Sequence, residues 1–187
     1  ITEQAIRFAG LAPNMQVKAP ATRAGMEALE EMTAAGISVN ATVSFTVPQA
    51  LAVGEAIERG LHRREAAGED VATMSPVCTL MIGRLDDWLQ VHADQLGVLL
   101  TPGVVNWAGV ACVKRAYALY HERGYRTRLL AAAYRNHLHW SQLIGGDIVL
   151  TIPYKWQLLF NASDIEVTPR FDDEVPAAVL SELEAKL

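Results

Sequence analysis

The chain has 187 residues, 51% of them hydrophobic and 20% charged, with a net charge of −5. That balance suits one globular domain, residues 1–187, with a core of its own and excludes a disordered tract. Lysine and arginine form no basic run, which argues against nucleic acid as a partner; apolar runs such as Leu129 to Ala133 are far too short to span a bilayer; and two cysteines, Cys78 and Cys112, make no disulfide framework, which with no visible signal peptide leaves the cytoplasm as the default compartment.

Extended and helical segments alternate along the chain. Met15 to Ala19 reads as a strand and Thr22 to Ala35 as a helix closed by Gly36. Ser38 to Phe45 is a strand, and Pro48 to Arg59 a helix with proline in its first turn, where a missing N–H costs nothing. HRREAAGED then reads as a loop or an extra turn. Val71 to Ile82 is largely extended, Leu85 to Leu96 helical, and TPGVV breaks the pattern. Trp107 to Arg123 is a helix closed by Gly124, Leu129 to Arg135 a strand, His137 to Ile144 a short helix, Ile148 to Ile152 a strand, and Pro176 to Leu187 a helix.

Repeated strand–helix units predict a parallel sheet with helices outside it, either an open doubly wound sheet or part of a (β/α)8 barrel. Strand faces separate the two. In SVNATVSF, Ser38, Asn40, Thr42 and Ser44 fall on one face, and Val39, Ala41, Val43 and Phe45 on the other. Between two layers of helices the polar row would be buried at a cost; in a barrel it lines the interior toward the mouth where active sites are built. The same phasing turns Lys18, Asn40, Thr42 and Arg135 inward near the ends of their strands.

A lysine there, flanked by apolar groups, would be desolvated, and the neutral amine it favours can attack a carbonyl. Asn40 and Thr42 can hold a hydroxyl or a water. Arg84 and Arg135 can bind phosphate, because a guanidinium fork matches phosphate oxygens. Blander readings stand beside these: a lysine at a strand end is usually a solvated rim residue, Asn and Thr often only fill a barrel interior, and most arginines sit in surface ion pairs. His137 and His139 lie close together without a third ligand nearby, so no metal is expected. Cys78 and Cys112 read as buried small apolar residues.

A colinear series of segments resembles the transaldolase family. VKAPATRAG resembles the family's Schiff-base lysine strand, and GISVNATVSFTVPQA the next unit. TLMIGRLDDW resembles its Gly-Arg segment that runs on to Asp-Trp, PGVVNWAGVACVKRAYALYHERGYRTRLLAAAYRN its following helix and Arg-Asn strand, and GGDIVLTIP its last strand. The resemblance covers nearly all of residues 15 to 155. It implies a (β/α)8 TIM barrel of class I aldolase type, here about strands four to eight. It further implies Lys18 as the Schiff-base lysine, Asn40 as a contact to the bound sugar, and Thr42 as the hydroxyl that positions a catalytic water. Thr79 becomes a small hydroxyl residue of the site, and Arg84 and Arg135 the phosphate-binding arginines. The implied activity moves a dihydroxyacetone unit from a ketose phosphate (sedoheptulose 7-phosphate or fructose 6-phosphate) to an aldose phosphate in the pentose phosphate pathway. It needs no metal or organic cofactor and no partner beyond small sugar phosphates. A fructose-6-phosphate aldolase-like enzyme and a non-catalytic sugar-phosphate-binding remnant are the alternatives.

The departures set further expectations. Met81 replaces a phenylalanine of the pocket wall, and Ala133 a serine of the phosphate site, with the loss of one hydrogen bond to phosphate. The family's proton-moving aspartate and glutamate, on its first three strands, have no counterpart in Ile1 to Asn14. General acid–base groups are typically worth on the order of 10²–10⁴ in rate. The chain is therefore expected to be part of a longer enzyme or a weakly active or inactive remnant, associating with an upstream segment, associating with itself through the strand edges at Lys18 and Thr151, or folding with incomplete order.

Overall fold

Strand–helix alternation runs through the computed structural model, which describes residues 1–187. The order begins α1 (Thr2–Ala9), β1 (Val17–Pro20), α2 (Arg23–Ala34), β2 (Val39–Ser44), α3 (Val47–Ala66), β3 (Val77–Leu80) and α4 (Ile82–Leu96). A 3₁₀ turn (Val105–Trp107) leads into α5 (Ala108–Glu122), followed by β4 (Arg128–Ala131), α6 (Leu138–Ser141), β5 (Val149–Leu150), α7 (Tyr154–Asn161) and α8 (Ala177–Lys186). No helix is long and apolar enough to cross a membrane. The chain forms two compact units, Ile1–Leu80 with Ala116–Leu130, and Met81–Arg115 with Ala131–Leu187.

In the first unit the strands neighbour one another in chain order, β1-β2-β3-β4. β1 and β2 are parallel, as are β2 and β3, and the Arg128 N–H donates to Pro76 O at 3.0 Å where β4 begins beside β3. Val39, Ala41, Cys78 and Leu80 are fully buried with Leu29, Met32, Val53, Ile57 and Leu61 of α2 and α3. The two helices cross closely at Gly60, where a Cβ would lie 2.6 Å from Glu30 O. Thr22 caps α2 by accepting from Gly25 N, and Thr46 caps α3 by accepting from Gln49 N.

In the second unit α4 ends on Gly97 in the left-handed region (φ 66), with Val98 N–H reaching back to Ala93 O at 2.9 Å. β5 lies beside the end of β4 through Thr151 N–H to Ala131 O at 3.1 Å. α8 is tied down by Glu182, which accepts from Thr101 N–H at 2.7 Å. The loop at Arg170–Asp173 is tied by Lys114 Nζ, which donates to Arg170 O and Asp173 O.

The α/β class with a parallel sheet is as expected; several boundaries are not. The helix expected to end at Arg59 continues to Ala66, so HRREAAGED opens as the extra turn and not as the loop. Arg59 and Arg63 there pair with Glu30 and Glu31 of α2, so the charges serve a helix face. Val71 to Ile82 is strand only over Val77–Leu80, and α4 opens already at Ile82. β4 stops at Ala131, four residues short of Arg135, since Ala133 takes φ 66 and breaks the extended run. In β2 the alternation fails at Val43, a β-branched residue at φ 59 inside a register shift against β3. Val43 is thereby exposed and Ser44 wholly buried, the reverse of the predicted faces.

Candidate active site

The strand-borne candidates meet in the first unit. Lys18 is the register partner of Asn40, and Pro20 of Thr42, so parallel pairing sets the lysine beside the asparagine on one face. From β3 the Thr79 hydroxyl donates to Asn40 Oδ1 at 2.7 Å, with both residues buried. Buried polar groups persist when paired in this way. Because Thr79 takes the carbonyl end of the amide, the Asn40 nitrogen is the end turned to donate elsewhere. Thr42 is half-buried, and its backbone oxygen accepts Ala21 N–H at 2.6 Å, which fixes the chain where it leaves β1.

Lys18 differs from expectation in one respect. Val17 and Ala19 turn into the core, and Lys18, between them, points to the opposite face and is exposed. The apolar enclosure predicted for it does not surround it. Its amine is open to solvent and to an incoming carbonyl compound.

Gln49, near the end of the resembling segment GISVNATVSFTVPQA and without an expected role, acts here as a clamp. Its side chain accepts Phe45 N–H at 3.0 Å and donates at 3.5 Å to Ala21 O and Val43 O. One amide thus clamps the strained Val43 turn to the chain that follows β1. The available signal was its place three residues after the Thr46 cap, where a side chain reaches back over the preceding strand end.

The arginine candidates lie in the second unit and not on strand ends. Arg84 is in the first turn of α4, and Arg135 follows the left-handed Ala133 beyond β4. They nevertheless come together, because one carboxylate gathers both. Arg135 Nε and Nη2 bond the Asp87 carboxylate at 2.8–3.0 Å, and Arg84 Nη1 lies 3.6 Å from Asp87 Oδ2. Arg135 Nη1 also donates to Tyr134 O at 2.9 Å. The side chains are 58%, 35% and 42% exposed for Arg84, Arg135 and Asp87, so these ion pairs are worth about 1 kcal/mol or less each. Two guanidinium groups against one carboxylate leave a positive excess, and an incoming anion can exchange with Asp87 at low cost. Gly83 permits the approach: a Cβ there would lie 1.9 Å from Ala133 O and 2.7 Å from Arg135 Cγ.

A buried network underlies this cluster, signalled in the sequence only by the nearness of Asp86 to Arg84. Asp86 accepts Gly109 N–H at 2.8 Å, at the start of α5, where a carboxylate is favoured by the helix dipole. Its other oxygen lies 2.7 Å from His139 Nε2, and His139 Nδ1 accepts Arg135 N–H at 3.1 Å. His139 is thereby committed on both ring nitrogens. Cys78 and Cys112 are buried, as read from the sequence, and burial pushes the Cys78 thiol up to about 11, an inert form.

The profile of the family described as Transaldolase/Fructose-6-phosphate aldolase matches residues 1–184. The chain belongs to that family. A protein of Thiobacillus denitrificans named Transaldolase is 33% identical over 163 residues, 76% of this chain and 45% of that protein. Transaldolase 1 of Streptomyces coelicolor is 35% identical over 126 residues, 66% of this chain and 33% of that protein. Transaldolase of Mycobacterium ulcerans is 34% identical over 110 residues, 59% of this chain and 30% of that protein. The chain spans less than half the length of these curated relatives. The transaldolase/fructose-6-phosphate aldolase match runs through every segment that carries Lys18, Asn40, Thr42, Thr79, Arg84 and Arg135.

Proposed function

We propose that this chain supplies the Schiff-base lysine and the phosphate-binding arginines of a transaldolase. Lys18 attacks the carbonyl carbon of a ketose phosphate, and water leaves as the imine forms. Cleavage of the bond between the carbons α and β to the imine sends its electron pair into the protonated imine, while the β-hydroxyl gives up its proton and becomes the aldehyde of the departing sugar, which is why no metal or organic cofactor is required. The aldose phosphate departs, and the three-carbon enamine left on Lys18 adds to the aldehyde of an acceptor aldose phosphate. Water then releases the product and regenerates the amine. Asn40 donates to a hydroxyl of the bound unit, Thr42 positions the water, and Thr79 orients Asn40. Arg84 and Arg135 take the phosphate in exchange for Asp87. The barrel of class I aldolase type is the architecture this reading requires, with this chain contributing the later strands.

The observation that carries the proposal is the pairing of Lys18 with Asn40, itself oriented by Thr79, within a chain that belongs to this family. Borohydride treatment with fructose 6-phosphate tests it. One reduced adduct is expected on the peptide holding Lys18, and none in Lys18→Ala. An adduct that persists in that variant refutes the assignment. Release of free dihydroxyacetone in place of transfer would assign the fructose-6-phosphate aldolase outcome instead.

A further inference from the structure

We propose that His139, held by Asp86, is a positioning residue that sets where Arg135 presents its guanidinium, and so sets the affinity for a phosphate monoester. The inference rests on the reading of Arg135 as a phosphate ligand and adds to it a device that the phosphate never touches. Arg135 follows a residue in the left-handed region and lies outside any strand, so no sheet ladder holds its backbone. Its N–H is held by His139 Nδ1 at 3.1 Å. A ring nitrogen can accept there only while it carries no proton, so the proton of the neutral ring is on Nε2, where it is given to Asp86 Oδ2 at 2.7 Å. Asp86 is itself anchored to the start of α5 through Gly109 N–H at 2.8 Å and receives Asn136 Nδ2 at 3.4 Å. His139 is 0% and Asp86 5% exposed at the side chain, so neither partner has water as an alternative. On the other side, the stem of Arg135 lies where any side chain at position 83 would stand. The guanidinium therefore swings from a backbone fixed from below by the His139–Asp86 pair and from beside by Gly83.

Two substitutions separate positioning from bulk stability. His139→Asn puts an amide oxygen where Nδ1 was and keeps an acceptor for Arg135 N–H. His139→Gln puts its amide near Nε2, keeps a donor for Asp86 and leaves Arg135 N–H without an acceptor. Both vacate buried volume and should lower the melting temperature alike. Calorimetric titration of the full-length protein with fructose 6-phosphate and with inorganic phosphate should give near-native affinity for Asn. For Gln it should give a loss of about fivefold, the equivalent of one ordinary hydrogen bond. The ¹⁵N spectrum of the His139 ring should show protonated Nε2 and bare Nδ1. Equal affinities for the two variants, or a proton on Nδ1, overturn the proposal. Arg135→Ala runs alongside: if it too leaves phosphate affinity unchanged, the phosphate reading of the site fails. If Arg135→Ala weakens binding while Asn and Gln agree, only the positioning role fails.

Discussion

On β1 and β2, Lys18 and Asn40 owe their nearness to parallel register, and Thr79 of β3 joins them through its hydroxyl bond to Asn40. Arg84, Asp87 and Arg135 sit off the strands, in the first turn of a helix and after a left-handed residue, and owe theirs to charge. The first set is neutral at its buried pair and presents one exposed amine; the second is ionic and largely exposed above a buried histidine–aspartate pair. A strand ladder can hold a buried amide–hydroxyl pair with little motion, which suits a reaction that needs fixed geometry around one carbon. Exposed ion pairs exchange partners cheaply, which suits the capture and release of an anionic handle. One device recurs in both regions. The first turn of a helix lies so close to a backbone carbonyl that only glycine fits: Gly25 of α2 against Pro20 O and Gly83 of α4 against Ala133 O.

That shared device yields the largest expected effects. A Cβ at position 25 would stand 1.8 Å from Pro20 O, and one at position 83 would stand 1.9 Å from Ala133 O. Backbone cannot yield as a flexible side chain can, so Gly25→Ala and Gly83→Ala should each cost about 3 kcal/mol, the upper part of the range for overpacking. Urea unfolding checks this. A cost under about 1 kcal/mol at either site would mean that the helix start can withdraw and that the two regions are not built alike. Gly83→Ala should also weaken phosphate binding, whereas Gly25→Ala should not.

The buried pair of the first region comes next. Thr79→Val keeps the shape and removes the hydroxyl, leaving Asn40 Oδ1 buried without its donor; the expected loss is about 2 kcal/mol, typical of an orphaned buried acceptor. The double variant with Asn40→Leu should recover part of that loss, because both polar ends are then gone. Strict additivity of the two substitutions in urea unfolding would deny the coupling across β2 and β3.

In the second region stability should barely respond, and ligand choice should. Arg135→Ala removes an ion pair that is largely exposed, so unfolding should shift by about 1 kcal/mol or less. Affinity for fructose 6-phosphate should fall about tenfold, since a charge-assisted contact contributes roughly 1.5–3 kcal/mol. Fructose itself should be unaffected. Equal losses for both sugars would remove the phosphate from the account.

What the sequence discloses follows the same division. Alternation in SVNATVSF predicts Val39 and Ala41 as core and Asn40 opposite them, and the structure agrees as far as Thr42. The pattern is a period of two, and it carries no information about where a register shift falls. Val43 at φ 59 was unreadable, since a β-branched residue is the last choice for that conformation. Lys18 was legible as an inward-phased residue but not in its exposure, because a strand pattern does not say what covers a face. Arg84 and Arg135 were recognisable as candidate anion ligands from residue type and motif. Their meeting at Asp87 depends on Gly83 and on the left-handed Ala133, neither of which has a periodic signature. His139 read as a stray histidine. Its role depends on Asp86, 53 positions earlier in the chain, and no local pattern connects the two.

The smallest effect belongs to a tether of the second region that has no partner in the catalytic chemistry. Glu182 of α8 accepts Thr101 N–H at 2.7 Å and Lys186 Nζ at 2.9 Å, and Lys186 also donates to Leu99 O at 2.8 Å. The Thr101 hydrogen bond first, and the lysine after it, hold the Glu182 carboxyl down to about 2, against about 4.3 for a free glutamate. A carboxyl depressed in the folded state adds stability that is fully present above the unfolded value and is lost as pH falls through the folded one. The wild-type protein should therefore melt above Glu182→Gln at neutral pH, and the gap should close between about pH 4.3 and pH 2. Melting curves across that window read it directly. Lys18, Asn40 and Thr79 should show no counterpart, so imine trapping on Lys18 in Glu182→Gln should match the wild type at pH 7. A gap that stays constant to pH 2 would show that the α8 tether rests on packing and not on the Glu182 charge.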